Sequence, residues 1–332
     1  MKVIIPVAGF GTRLRPHTLT KAKVLINVAG KPMISHIVEQ IIKDKLASEI
    51  ILITGFLGDE IEKYLKKKYK IKLTFIEQKE PLGLGHAIYM AKKYLYTNLK
   101  EDILIILGDT LFDVNLKDFC KSKYSRISVK NVDDPRRFGV VEKNKQGFVT
   151  RLVEKPSSPE ISTSKEAIVG IYLIKNGKLL FDSLEYTIKY NLRTKGEFQL
   201  TDALERMLGK GEIMNTYPIK GWLDCGKPEA ILETNRYILN KNKKKIKIKS
   251  SEIINPVFIG KNISVVDSII GPYATIGDGC EITKSKIKNS IIHTNCRIIE
   301  SEIKDSIVGD NCVLIKQKGK YNIGDFSRAE NE

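Results

Sequence analysis

A glycine pair and a set of basic side chains share one short stretch: Val7-Ala8-Gly9-Phe10-Gly11-Thr12-Arg13-Leu14-Arg15-Pro16-His17-Thr18, then Lys23 and Gly30-Lys31-Pro32. Glycines behind an apolar strand let a backbone approach a ligand closely, and free amides there can hold phosphate oxygens. Guanidinium and ammonium groups are the usual partners of such oxygens. Alone, the G-x-G pair reads equally well as a structural turn. With Arg13, Arg15 and Lys23 beside it, an anion site is the better reading. A dinucleotide fingerprint is excluded because Leu14 stands where its third glycine would be. No G-x-x-x-x-G-K-[ST] run occurs in the sequence, which excludes a P-loop NTPase.

The elements around this loop alternate. Lys2–Val7, Glu49–Thr54, Lys72–Glu77 and Asp102–Leu107 read as strands, and Met33–Leu46, Gly58–Lys68 and Gly83–Leu95 as amphipathic helices. Such a β-α-β-α rhythm predicts a parallel sheet covered on both faces. Ile103-Leu104-Ile105-Ile106-Leu107 has no polar alternation, as a central strand buried on both sides requires. Further strands are expected near Ile127–Val132, Gly139–Glu142, Phe148–Glu154 and Ala167–Ile174, and helices near Gly177–Tyr190, Thr201–Leu208 and Pro228–Asn240.

Beyond residue 250 the period changes. Gly277-Asp-Gly-Cys280-Glu-Ile282, His293-Thr-Asn-Cys296-Arg-Ile298 and Gly309-Asp-Asn-Cys312-Val-Leu314 are one six-residue phrase repeated every 16 residues, and Gly260-Lys-Asn-Ile263-Ser-Val265 is an earlier copy. Self-similarity at this period predicts a parallel β-helix of the left-handed, hexapeptide-repeat type, with four coils sharing one core. Cys280, Cys296 and Cys312 then form an inward-facing column of small fillers, not a catalytic or metal set.

The 332 residues are 42% hydrophobic and 29% charged, an ordinary globular composition. The longest aliphatic run is far short of the roughly 20 residues that cross a bilayer. An odd five cysteines, with a strand-like start and no leader pattern, predict reduced thiols and a cytoplasmic location. The net charge is +17, and two runs, within 66–72 and 241–249, hold eleven lysines. Only one tyrosine accompanies them, so solvated surface or linker is a better reading than nucleic-acid binding.

Taken together, the motifs resemble the sugar-nucleotide pyrophosphorylases, the nucleotidyltransferases that activate sugar phosphates. The resemblance rests on G-x-G-T-R-L-x-P-x-T with Lys23 and Lys31-Pro32, on Glu77-Gln78-Lys79-Glu80-Pro81-Leu82-Gly83-Leu84-Gly85-His86-Ala87, and on Leu107-Gly108-Asp109. It continues through Asp134–Glu142, Val153-Glu154-Lys155-Pro156, Gly196–Asp202 and Gly221-Trp222-Leu223-Asp224-Cys225-Gly226. Order and spacing are most similar to the glucose-1-phosphate thymidylyltransferases, in the longer form that ends in a β-helix. The glycine loop, one residue shorter than in many of these, also resembles UDP-glucose pyrophosphorylases. Thr110 stands where thymidylyltransferases often carry Asn.

The resemblance implies a Rossmann-like mixed sheet in a catalytic nucleotidyltransferase domain over residues 1–240, a basic linker over 241–252, the β-helix over 253–316 and a tail over 317–332. It implies Gly9, Gly11 and Thr12 along the nucleotide phosphates, with Arg13 and Lys23 neutralising them, and Gln78 and Gly83 on the base edge. Gly139 and Glu154 would hold sugar hydroxyls and Lys155 the sugar phosphate, while Asp109 and Asp224 would hold Mg²⁺. Hard oxygen donors plus phosphates are the usual Mg²⁺ environment.

The implied reaction passes a nucleotidyl group from dTTP or UTP to glucose 1-phosphate by direct in-line attack, releasing pyrophosphate. Such transfer needs positioning and charge neutralisation, not a protein nucleophile. Two unit charges of one sign about 4 Å apart repel by roughly 4 kcal/mol at an effective dielectric of 20, which Arg13, Lys23, Lys155 and Mg²⁺ would offset. A homo-oligomer assembled through the β-helix is expected, with neither nucleic acid nor membrane as partner. A UTP-dependent uridylyltransferase and a mannose-1-phosphate guanylyltransferase stay open as alternatives. So do a β-helix acyltransferase with His293 as base and a non-catalytic assembly subunit.

Overall fold

The computed structural model describes residues 1–95, 101–241 and 245–331; Lys243 and Lys244 of the basic run lie outside the described residues. The chain divides into two compact units, one of residues 1–9 and 37–222, the other of residues 10–36 and 223–332.

The first unit is built on a mixed sheet, nine-stranded among the described residues. Its main path runs Val149–Glu154, Gly139–Lys143, Glu166–Ile174, Ile103–Ile106, Lys2–Pro6, Glu49–Thr54, Leu73–Glu77. The last four are parallel, with Val3 level with Ile50 on one side and Leu104 on the other. Glu166–Ile174 runs antiparallel to Ile103–Ile106, and Ser125–Asn131 and Met214–Pro218 extend the sheet from it. All four residues of Ile103–Ile106 are buried, as their unbroken apolarity demands. Burying each such side chain stabilises the fold by roughly 1.5–3 kcal/mol. The helices Leu84–Met90, Gly177–Lys189 and Leu200–Gly209 pack Ile88, Leu180, Leu184, Leu204 and Met207 into the same core. The strand order changes direction at Lys2–Pro6, whose chain successor pairs on one side and Ile103–Ile106 on the other. At such a switch point the carboxyl ends of the strands leave a crevice. Val7-Ala8-Gly9 and Leu107-Gly108-Asp109 both leave the sheet there.

The second unit holds the glycine-loop segment and a three-sided parallel β-helix. Each side is a sheet of five short strands stacked in register, the central rungs being Ile282↔Ile298, Ile287↔Ile303 and Ile276↔Ile292. The three repeat cysteines are fully buried, and each thiol donates to a carbonyl of the next coil: Cys280 to His293 O at 3.0 Å, Cys296 to Gly309 O at 3.0 Å, Cys312 to Gly324 O at 3.1 Å. Ser268, Ser285 and Ser301 make a second column, each hydroxyl accepting the amide of the coil above.

The stack is longer than the repeat predicts. Residues 317–332, expected as a tail, carry the rungs Lys318–Gly319, Asn322–Ile323 and Arg328–Glu330. At the other end Glu252, the last residue of the expected linker, already pairs with Ile269, one residue before the expected start of the β-helix. The last coil is hidden in the sequence because its inward positions are Gly319, Ser327 and Ala329 in place of Ile303, Cys312 and Leu314. Its turn also arrives 15 residues after Gly309 instead of 16.

Candidate functional site

The expected site residues fall in both units. In the first, Gly9 ends the Val7-Ala8-Gly9 exit from the sheet, and no atom lies within 4 Å of where its Cβ would stand. Gly108 is packed instead: a Cβ there would meet Val7 Cγ1 at 2.4 Å, so only glycine lets the two strand exits lie side by side. Its amide donates to Pro6 O at 3.2 Å. Asp109 follows, half-buried, and its Oδ1 accepts the Thr110 hydroxyl at 3.3 Å.

Gln78 is buried at the end of Leu73–Glu77, its own amide bonded to Thr54 O. Its Nε2 lies 3.2 Å from Gly83 O and 3.0 Å from His86 Nδ1. A carbonyl can only accept, so the group facing Gly83 is the NH₂, and His86 Nδ1 must then be the bare nitrogen of a neutral ring. Burial, with Arg193 nearby, holds the His86 pKa below its ordinary value against the pull of Glu80, which agrees with a neutral ring. Both amide hydrogens are therefore donated internally, and the side chain offers a ligand only the acceptor Oε1. Gly83 itself sits at φ 107°, where a Cβ would strike the Phe198 backbone at 2.7 Å. The loop is fastened to residues 197–199 by Phe198 N to Leu82 O and Gly85 N to Phe198 O.

Gly139 and Glu154 stand opposite each other across an antiparallel pair of strands. A Cβ on Gly139 would lie 2.9 Å from Glu154 Oε2 and 3.0 Å from Thr201 Oγ1. Thr201, in the first turn of Leu200–Gly209, donates to that Oε2 at 2.7 Å, and Lys155 Nζ lies 3.4 Å from Oε1. Lys155 has φ 47°, a costly conformation for a non-glycine residue, held by its amide bond to Phe138 O at 3.0 Å. Carboxylate, ammonium and hydroxyl thus form one polar cluster at the sheet's end. Thr201 is a member that motif reading passed over, since nothing in Gln199-Leu200-Thr201-Asp202 marks the hydroxyl. Trp222 is half-buried and meets Phe138 edge-on, with ring centroids 4.7 Å apart.

In the second unit Gly11 is left-handed at φ 64° and is flanked by Thr18 and Lys23: a Cβ would lie 3.0 Å from Lys23 Cβ and 3.0 Å from Thr18 Cγ2. The Thr18 hydroxyl donates to Gly11 O at 2.9 Å and closes the loop. Thr12 and Arg13 lie in an exposed one-turn 3₁₀ helix, while the Lys23 side chain is buried against the loop. Gly226 is the hinge of a second grouping, since a Cβ on it would stand 2.9 Å from both the Arg13 guanidinium and Asp224 Oδ1. Arg13 and Asp224 are therefore neighbours, which no spacing in the sequence reveals.

His293 is 2% exposed inside the β-helix, and burial first, then Lys21, pushes its imidazole down to about 3. A general base must reach its substrate. Its burial removes the residue on which an acyl-transfer reading depended. Among the described residues no cluster of three or more His, Cys, Asp or Glu could hold a metal ion, and no helix is long and apolar enough to cross a membrane. The carboxylates of Asp109 and Asp224 remain as hard donors of the kind Mg²⁺ takes alongside phosphate oxygens and water.

Comparison with known proteins gives the family. Residues 2–241 match the nucleotidyl transferase family model. The chain is 35% identical over 271 residues to the bifunctional protein GlmU of Methanococcus maripaludis, covering 81% of this chain and 61% of that protein's length. It is 31% identical over 321 residues to a glucose-1-phosphate thymidylyltransferase of Streptomyces antibioticus, covering 88% of this chain and 87% of that one. The low-salt glycan biosynthesis nucleotidyltransferase Agl11 of Haloferax volcanii is also 31% identical, with the same coverage. A solved UDP-glucose pyrophosphorylase complexed with UDP-glucose superposes with a TM-score of 0.60 at 25% identity, covering 73% of this chain and 99% of that chain. With the glycine loop, the Gly-Asp strand exit and the Glu-Lys cluster in place, the chain belongs to the nucleotidyl transferase family.

Proposed function

We propose that the protein transfers a uridylyl or thymidylyl group from UTP or dTTP to glucose 1-phosphate, releasing pyrophosphate. The observation that carries the choice of base is the Gln78 amide, whose hydrogens both go to Gly83 O and His86 Nδ1. Oε1 suits a base edge with a ring N–H, as in uracil, thymine and guanine. Adenine and cytosine place a ring-nitrogen lone pair there, which an acceptor repels. The relatives named for thymidylyl transfer and for UDP-glucose favour thymine and uracil over guanine.

The sugar 1-phosphate fits the Gly139–Glu154–Lys155–Thr201 cluster. Glu154 accepts from hydroxyls, Lys155 neutralises the phosphate, and the missing Cβ at Gly139 leaves room for the carboxylate. Arg13 and Lys23 carry the charge of the triphosphate, and Gly9, Gly11 and Thr12 lie along it. Asp109 and Asp224 would hold Mg²⁺, which supplies charge neutralisation at the phosphates when bound. No side chain acts as nucleophile; a sugar-phosphate oxygen attacks the α-phosphorus in line, and these residues orient and neutralise.

The test is pyrophosphate release from each of ATP, CTP, GTP, UTP and dTTP with glucose 1-phosphate. The proposal expects UTP or dTTP to lead and ATP and CTP to trail. Preferred turnover of ATP would overturn the reading of Gln78.

A further inference from the structure

The segment that carries Arg13 and Lys23 is held by the far end of the β-helix. Each Gly-Asp turn of the helix places its Asp in one column. Asp278 Oδ1 accepts Lys261 N at 2.8 Å, Asp310 Oδ1 accepts Thr294 N at 2.9 Å, and Asp325 Oδ1 accepts Asp310 N at 2.7 Å. One carboxylate oxygen thus stays in the ladder and the other is left over. In the last two coils the spare oxygens leave the helix: Asp310 Oδ2 is ion-paired with Lys21, and Asp325 Oδ2 accepts the Thr20 hydroxyl at 2.7 Å. Asn322 Oδ1 stands 2.8 Å from His17 Nε2, and Gly324 packs under Pro16, leaving 3.1 Å between a Cβ and Pro16 Cβ. Lys21 is two residues before Lys23, and Thr18, between the bonded residues His17 and Thr20, closes onto Gly11.

We propose that Asp310, Asn322 and Asp325 are positioning residues for nucleotide binding, so that the β-helix fixes the basic glycine loop rather than serving assembly alone. This rests on the reading of Arg13 and Lys23 as the triphosphate's partners. Three polar side-chain contacts and the packing of Pro16 on Gly324, all from the last two coils, grip the six-residue segment 16–21, and the loop lies immediately on either side of it. The contacts come from the stretch 309–325, half of which the sequence presents as a tail.

The experiment compares steady-state kinetics of the full chain with Lys21→Met, Asp310→Asn and Thr20→Val, varying nucleotide and sugar 1-phosphate separately, with thermal midpoints measured alongside. The expected result is a KM for nucleotide raised about 5- to 20-fold in Lys21→Met and Asp310→Asn, less in Thr20→Val, with the KM for sugar 1-phosphate near wild type. Lys21→Arg should restore it. Asp278→Ala removes the ladder contact to Lys261 N, but among the described residues segment 16–21 does not bond Asp278, so it should change the midpoint without changing either KM. If Lys21 instead touched phosphate directly, Asp310→Asn would release it and lower the nucleotide KM, which overturns the proposal. Unchanged nucleotide kinetics in all three variants, or equal losses for both substrates that track the midpoint, also overturn it. A wild-type chain inactive on every nucleotide would instead sink the functional reading, so the two failures are distinct.

Discussion

Replacing Gly139 with alanine puts one methyl group 2.9 Å from Glu154 Oε2, 3.0 Å from Thr201 Oγ1 and 3.2 Å from Ile168 Cδ1. Those two oxygens share a 2.7 Å hydrogen bond, so the methyl wedges against both ends of it. Gly139 does not have a positive φ, so the change brings no backbone strain and gains roughly 0.4–1 kcal/mol from a stiffer unfolded chain. Against that stand roughly 1–3 kcal/mol for overpacking and roughly 1.5–3 kcal/mol if the hydroxyl–carboxylate bond is lost. With the bond lost the unfavourable terms win, and a net loss of about 1.5–5.5 kcal/mol is expected from their difference. The carboxylate must also move by several tenths of an ångström, away from where it would meet a sugar hydroxyl. A fall of about tenfold or more in kcat/KM for sugar 1-phosphate should follow, with the nucleotide KM preserved. Urea melts and initial-rate kinetics read the two effects, and Thr201→Val, which keeps the volume but removes the donor, should reproduce the kinetic one. Wild-type kinetics for Gly139→Ala would refute the placement of the sugar beside Glu154.

Three further outcomes are expected. Asp109→Asn should keep the fold and reduce turnover on the order of 100- to 1,000-fold, the scale of one lost electrostatic contact to the transition state; near-normal turnover at limiting Mg²⁺ would remove Asp109 from the metal site. Burial, then Lys21, holds His293 at about 3, and burial also holds His17 below its ordinary value against the bond from Asn322 and the charges of Asp325 and Asp310. The unfolded chain therefore binds protons below about pH 6.5 that the fold refuses, so stability is full above that pH and falls as pH drops, by up to about 1.4 kcal/mol per unit for each ring. A His293→Gln variant whose urea midpoint falls as steeply as wild type between pH 7 and 5 would contradict this. Of the five cysteines, Cys225, Cys280, Cys296 and Cys312 are buried, and burial pushes the half-buried Cys120 thiol up to about 11. A thiol reagent should therefore label the native chain slowly and all five sites only in denaturant; two or more fast native thiols would contradict the packing.

The sequence made the strands legible where apolarity was continuous, as in Ile103–Ile106, and made the β-helix legible wherever Cys or Ile filled the inward column. It hid the last coil, where glycine, serine and alanine take those places, and it hid Met214–Pro218, whose polar residues break any period. Individual site residues could be named from motifs, but their partnerships could not. Nothing in the spacing of Gln78 and His86 tells which amide atom is tied up inside the protein, because that depends on a carbonyl five residues away. Nor does it tell that Lys21 reaches Asp310, a contact between residues 289 positions apart. Those links are tertiary, and they decide what the local motifs can do.

The measurement closest to the central claim is a ³¹P spectrum of the protein incubated with UTP, glucose 1-phosphate and Mg²⁺. Nucleotidyl transfer predicts that the glucose 1-phosphate signal is replaced by the paired resonances of a sugar diphosphate ester, in equal amount with pyrophosphate. Added pyrophosphate should drive the mixture back. Release of orthophosphate without a sugar-linked diphosphate, or no change with UTP and dTTP alike, would contradict the account.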